Sequence, residues 1–326
     1  MRKSVKVFVL PLLLGCLLAL SSAHAQSDYP RQPIKMVVGF ASGGISDVLA
    51  RAIAAKMSNT IGQTVFVENR PGAGTTIAGD LVAKAVPDGY TIWLQDITSH
   101  AINASLYPKL PYDSVKDFTP IALVASTPLM LVVHPSSSAR SVKELASLMK
   151  SQPGKFSYGS SGNGTILHLA GEMFKTSQGL DVVHIPYKGS SPATQAILAN
   201  DVSFVFSTMP PAVGNAKTGR LRALAVTTPK RGTAAPDTPT MGEAGVANFE
   251  VVLYSGILGP KGMDPAIVRK LNAEFAKVIA SEEIRRVYEN LGAEPITETP
   301  EAFAGMLQKE IAKLAPVVKT SGAKIE

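Results

Sequence analysis

From residue 34 to residue 258, short apolar runs suited to strands alternate with runs of helical period, and no other feature constrains the fold as much. Such alternation requires an α/β protein built mainly on parallel strands, because each helix returns the chain to the same end of a sheet. Ile34 to Phe40, Thr64 to Glu68 and Tyr90 to Leu94 read as strands. Between them, Ile45, Leu49, Ile53 and Met57 recur four apart and predict one buried helix face. Ile77 to Ala85 reads as the next helix. Asp96 to Asp117 lacks periodicity and reads as loop, carrying Thr98, Ser99, His100 and Asn103.

Farther on, Ile121 to Ala125 and Leu129 to Val133 read as two strands split by Thr127-Pro128. Ser141, with Glu144 three residues later, predicts a capped helix through Lys150. Phe156 to Tyr158, Val182 to Pro186, Val202 to Phe206 and Ala223 to Thr227 are further strands, with helices over 165–176 and, capped by Ser191 with Pro192 at its first position, to Leu198. Another helix opens at Met209-Pro210-Pro211. The Pro, Thr and Gly of 228–245 predict surface loop, Val251 to Leu258 a strand, and three helices over 265–280, 283–291 and 300–320 close the chain.

A chain of 326 residues exceeds one ordinary core. If 121–133 and 251–258 both cross between domains, 26–125 and 251–326 form domain 1 and 126–250 an inserted domain 2. The C-terminal helix then has the option of packing across onto domain 2. Ligands of open parallel sheets bind beyond the carboxyl ends of the strands, so facing sheets predict a cleft.

The first residues bear on compartment. Arg2, Lys3 and Lys6 precede an apolar run from Val7 to Leu20, and Ala23-His24-Ala25 fits a cleavage site, so 1–25 reads as a signal peptide with a mature start near Gln26. A lipoprotein reading centred on Cys16 is the alternative. Cys16 is the only cysteine, so the mature chain has no disulfide or thiolate chemistry. Loss of the signal takes the formal charge from +7 to +4, too mild and too dispersed for nucleic acid.

Two glycine loops lead into helices, Ser42-Gly43-Gly44 and Ser160-Ser161-Gly162-Asn163-Gly164 with Thr165. Counted from Gly159, the second has the glycine spacing of a P-loop (Gly159 and Gly164) but no lysine, and with Asn163 at its end it lacks the final glycine of a Gly-x-Ser-x-Gly nucleophile turn. The histidines show no metal-ligand spacing, and neither metal nor cofactor is expected. What remains is carboxylate capture: helix starts present unpaired N–H groups and partial positive charge, glycine allows close approach, and serine adds a donor. Asp47, in the first turn of its helix, serves either the helix dipole or the ligand.

Several ordered motifs are similar to one family. Tyr29-Pro30-Arg31-Gln32-Pro33-Ile34, Gly43-Gly44-Ile45-Ser46-Asp47, Val67-Glu68-Asn69-Arg70-Pro71-Gly72-Ala73-Gly74, Pro87-Asp88-Gly89-Tyr90-Thr91, His184-Ile185-Pro186-Tyr187-Lys188-Gly189 and Leu221-Arg222-Ala223-Leu224-Ala225-Val226-Thr227 carry the likeness. With them, the chain resembles Bug-type periplasmic solute-binding receptors of the tripartite tricarboxylate transporter family. The resemblance implies a type II periplasmic-binding-protein fold, two α/β domains on a two-strand hinge around a ligand cleft. It implies a monomeric, non-enzymatic periplasmic receptor for a small organic anion, a dicarboxylate or aromatic carboxylate. The cargo would pass to one large and one small integral membrane subunit. A sensor-kinase partner, or a serine hydrolase using Ser160 or Ser161, is the alternative.

By position in that family, Phe40 to Asp47 and Ser160 to Thr165 correspond to ligand loops, Thr98, Ser99 and His100 border the pocket, and Ser207 and Tyr254 stand at further ligand positions. Ser42 stands where the family has a proline, adding a hydroxyl. Ser207 stands where an acid or asparagine is common, which counts against an amino-acid ligand.

Overall fold

The computed structural model describes residues 29–324. The signal peptide expected over 1–25, and Cys16 within it, lie outside the described residues. The chain opens β1 (Ile34–Val38), α1 (Ile45–Ile61), β2 (Val65–Asn69), α2 (Thr76–Ala83), β3 (Thr91–Asp96) and α3 (Ile97–Leu106). There follow β4 (Phe118–Val133), α4 (Val142–Ser151), β5 (Phe156–Ser160), α5 (Ile166–Gln178), β6 (Val182–Pro186), α6 (Ser190–Leu198) and β7 (Phe204–Thr208). The rest comprises α7 (Met209–Lys217), β8 (Arg222–Val226), β9 (Val252–Pro260), α8 (Pro265–Ile279), α9 (Glu282–Leu291), the two-residue β10 (Glu294–Pro295) and α10 (Pro300–Ser321).

The strand order β2-β1-β3-β9-β4-β7-β5-β6 places a parallel group, β1 with β2 and β3, at one end, and a second, β5 with β6 and β7, at the other. Between them run β4 and β9, antiparallel to each other from Phe118↔Pro260 to Pro128↔Val252. At 16 residues β4 is about 50 Å of extended chain, long enough to serve both groups. Beyond Pro128 it pairs with β7 and β8 instead.

Thr127-Pro128 therefore lies inside one strand and does not divide two. Proline removes a single ladder donor, and Thr227 spans the same place: its hydroxyl accepts from the Leu129 N–H at 2.9 Å and donates to the Val251 carbonyl at 2.6 Å. That threonine ties β4, where it changes partners, to the residue that enters β9.

The predicted face of α1 is the observed one, with Ile45, Leu49, Ile53 and Met57 all buried. The capping pair of α4 also forms, Ser141 accepting from the Glu144 N–H at 3.2 Å. In two further places the structure differs from the sequence reading. The presumed loop after β3 contains α3, whose polar residues Thr98, Ser99, His100 and Asn103 are buried and each make a tertiary hydrogen bond, although His100 Nδ1 and Asn103 Oδ1 have no partner, so they mimic loop composition. Helix α6 starts at Ser190 with Gly189 as its cap, because Gly189 takes the positive φ of 144° that admits the turn.

The last helix, α10, closes over α3 and β9 with Phe303 and Leu307 in a cluster that includes Trp93 and Ile97. Gly256 permits this, since a Cβ there would lie 2.6 Å from Phe303. Its far end reaches α5, where Thr176 Oγ1 donates to the Ser321 carbonyl at 3.1 Å.

Candidate functional site

Five helices begin around one point between the two parallel groups. Gly44, Ile45 and Ser46 open α1; Asp96 caps α3; Leu167 lies in the first turn of α5; Ser190 begins α6; and Thr208 immediately precedes α7. With Phe40, Ser161 and Leu253 they enclose a cavity of about 20 Å³. That is room for one or two waters, far below the ~300 Å³ at the lower end of ordinary ligand pockets. An organic acid therefore enters only if the walls part. Larger grooves, about 460 Å³ beside Lys217 and Arg222 and about 570 Å³ beside Asp113, gather none of these helix starts.

The walls are held shut by contacts between distant segments. Ala41 N–H donates to the Lys188 carbonyl at 2.9 Å, and Ile166 N–H to Ser99 Oγ at 2.9 Å. Tyr107 Oη donates to the Ala73 carbonyl at 2.9 Å and to that of Asn163 at 3.2 Å. Gly74 approaches the Asn163 carbonyl so closely that a Cβ would sit 2.1 Å from it. An adjoining cavity of about 300 Å³, lined by Gly74, Tyr107, Ser161, Gly162, Asn163 and Lys188 among others, borders this seam.

Each helix start contributes roughly half a positive charge and N–H groups that the helix cannot use. At α1, α6 and α7 no side chain caps those groups. Thr208 Oγ1, buried in the cavity wall, also has no hydrogen-bond partner. Donors without acceptors and aligned dipoles are the means by which proteins hold anions without a lysine or arginine.

One wall is itself acidic. Asp96 is 1% exposed and accepts from the Ser99 N–H at 3.0 Å and from Ser99 Oγ. Burial pushes its pKa up to about 6, with the Glu310 charge adding, against the opposing pull of the donors from Ser99 and Thr98.

Of the residues expected at the site, Phe40, Gly44 and Ser161 line the inner cavity, and Gly162 and Asn163 line the adjoining one with Ser161. Ser99 links Asp96 to the start of α5, and Thr165 caps that helix by accepting from the His168 N–H. Gly43 and Asp47 brace the first loop instead of facing the cavity. Asp47 accepts from the Gly43 N–H at 3.0 Å, from Asn69 Nδ2 at 2.9 Å and from Arg51 Nε at 3.1 Å. Burial raises its pKa, but these donors and the Arg51 charge outweigh burial and leave it below the usual carboxylate range.

Other expected residues lie away from these two cavities. Ser42 is exposed and lines neither cavity. His100 is fully buried among Trp93, Tyr112 and Phe118, with Nε2 2.8 Å from the Ser114 carbonyl, and burial lowers its pKa to about 4. Thr98 and Tyr254 join on a separate groove beside Glu310, where Thr98 Oγ1 accepts from the Tyr254 N–H at 3.1 Å. Gly164 turns its N–H onto His168 Nδ1 at 3.2 Å. Ser207 stands behind the wall, its Oγ 3.2 Å from Ser190 Oγ and 2.8 Å from Thr194 Oγ1.

Ser160 has a partner that sequence could not assign: its Oγ lies 2.6 Å from His184 Nε2. His184 stacks on His168 and Tyr158, and burial, with the charges of His168 and Lys175, lowers its pKa to about 3. Among the described residues, no three His, Asp or Glu side chains gather as a metal set.

A cavity ringed by helix starts, between two α/β halves joined by paired crossing strands, defines a solute-binding protein of the type II periplasmic-binding fold. The chain belongs to the tripartite tricarboxylate transporter family of receptors, whose model matches residues 49–323. It is 36% identical over 299 residues to the protein BugT of Bordetella pertussis, covering 91% of this chain and 92% of that one. Among solved structures it is similar to an adipate-bound protein of R. palustris, at 35% identity and a TM-score of 0.88 over 91% of this chain and all of the other. It is also similar to MatC of Rhodopseudomonas palustris with bound malate, at 32% identity and a TM-score of 0.85 over 89% of this chain and all of the other.

Proposed function

We propose that this protein is a periplasmic receptor that closes on a small organic anion and hands it to a membrane transporter of one large and one small integral subunit. The observation that carries the reading is the convergence of the uncapped starts of α1, α6 and α7 on one cavity with the unpartnered Thr208 hydroxyl. Carboxylates bound by two relatives, adipate and malate, support the ligand class. The expected division, 26–125 with 251–326 against 126–250, is supported by the place where β4 leaves β9 for β7 and β8, and hinge opening there would admit the ligand. A thermal-shift panel of mono- and dicarboxylates, amino acids and neutral sugars tests the proposal. A ligand at about a hundred times its Kd stabilises by about 2.7 kcal/mol. A shift with sugars and none with acids would sink it.

The Ser160–His184 pair favours a second reading, a serine hydrolase. Against it, Ser160 is fully buried and also holds Gly162, whose N–H donates to its Oγ at 3.1 Å. The lowered basicity of His184 further weakens it as a proton acceptor. Binding without catalysis fits better, and a serine-directed phosphonate should leave Ser160 unlabelled.

A further inference from the structure

Asp96 sets a condition on the ligand that helix starts alone do not. It lines the same cavity as the uncapped starts of α1, α6 and α7, so an anion held by those N–H groups lies beside a buried carboxyl. Among the described residues no lysine, arginine or histidine pairs with it. Thr98 and Ser99 face it from α3, its register partner Ser255 stands on β9, and the charge that reaches it from α10 is that of Glu310, also negative. Two donors, the Ser99 N–H and the Ser99 hydroxyl, occupy two of the roughly four acceptor positions of a carboxylate. Acceptor capacity is left over.

A ligand bearing only carboxylates would set like charges together in a closed, water-poor space. A ligand that also carries an O–H or N–H donor resolves the conflict: its carboxylate takes the helix starts and its donor takes a free acceptor position of Asp96. Resting on the anion-receptor reading above, we infer that this receptor selects carboxylates bearing a hydroxyl or ammonium donor near the carboxylate, with Asp96 as the residue that reads the donor. An acid is absent at Ser207, yet the cavity has one, supplied from the end of β3.

The test is calorimetry on the mature protein with matched acids: succinate against malate and aspartate, and phenylacetate against mandelate and phenylglycine. In at least one set the donor-bearing acid should bind tenfold or more tightly than its donor-free parent, and the hydroxyl and ammonium arms show which donor is read. In Asp96→Asn that ratio should fall to threefold or less. Equal or tighter binding of the donor-free acids to the wild type, including binding accompanied by proton uptake, overturns the inference and leaves the anion reading standing. So does a ratio that survives in Asp96→Asn. If no acid binds, both fall. The wild-type comparison decides the matter even if the variant does not fold.

Discussion

Ser99 Oγ accepts a hydrogen bond from the Ile166 N–H at 2.9 Å while donating to Asp96. A single hydroxyl thus joins the acid that caps α3 to the start of α5, where Ile166 lies 67 residues from Ser99 in sequence. Ser99→Ala removes both bonds and leaves a buried carboxylate short of a donor, a defect of about 1–3 kcal/mol. Chemical denaturation should show that loss, and calorimetry a fall of about tenfold in affinity, because closure loses one of its ties. An unchanged affinity would mean that the contact plays no part in closure.

Gly74 tests closure from the other side. Its φ is 58°, and a Cβ there would lie 2.1 Å from the Asn163 carbonyl. Gly74→Ala should therefore hold the walls apart while costing the fold only about 1 kcal/mol for the strained φ. Small-angle scattering with saturating ligand should show wild type contracting and the variant not. Equal contraction would show that the seam has room to adjust.

Asp47 predicts a different outcome from a cavity residue. Its partners, Gly43, Asn69 and Arg51, all belong to the first loop and its surroundings, and Arg51 is half-exposed and rehydrates when freed. Asp47→Ala should cost about 2 kcal/mol of stability, in the range for hydrogen bonds to a charged group, through loss of the brace. Its stabilisation should also fade as pH drops, since a carboxyl with a lowered folded pKa contributes above its unfolded value and loses that contribution on protonation. Urea titrations of both proteins at pH 7 and pH 3 check this: the gap between them should be smaller at pH 3.

Much of this architecture is legible in the sequence because it rests on local pattern. The period of Ile45, Leu49, Ile53 and Met57, the Ser141 cap and the strand–glycine–helix loops each announce themselves within a few residues. The site is legible only in part. Helix-start donors belong to the backbone, so Ser190 and Thr208 leave no side-chain signal for the role of α6 and α7. Asp96 was hidden for another reason: as the cap of α3 it stands at the start of a run whose buried polar residues imitate a loop. An acid followed three residues later by Ser99, whose N–H it caps, was the available sign. His100 misleads in the opposite direction, since a histidine in a polar run suggests a pocket, while its ring completes an aromatic core.

That core histidine leads to an acid-sensitivity prediction. Burial lowers the pKa of His100 and His168 to about 4 and that of His184 to about 3, so all three are neutral in the folded protein at pH 6. In the unfolded chain they take up protons below about pH 6.5. A base with a lowered folded pKa therefore withdraws stability as pH falls from about 6.5 toward 4, with each proton contributing a slope of about 1.4 kcal/mol per pH unit. Asp96 opposes them: its raised pKa lets the folded state bind a proton first between about pH 6 and pH 4, which adds stability as pH falls. Glu310, whose pKa burial also raises, acts in the same sense as Asp96, and three groups outweigh two, so melting temperature should drop steadily between pH 6.5 and pH 4.5. His100→Gln, which keeps a donor for the Ser114 carbonyl but cannot charge, should lower stability at pH 7.5 through imperfect packing and yet flatten the acid limb by up to one proton's slope. Melting curves of both proteins at half-unit intervals decide it: parallel acid limbs would mean that His100 does not have to charge on unfolding.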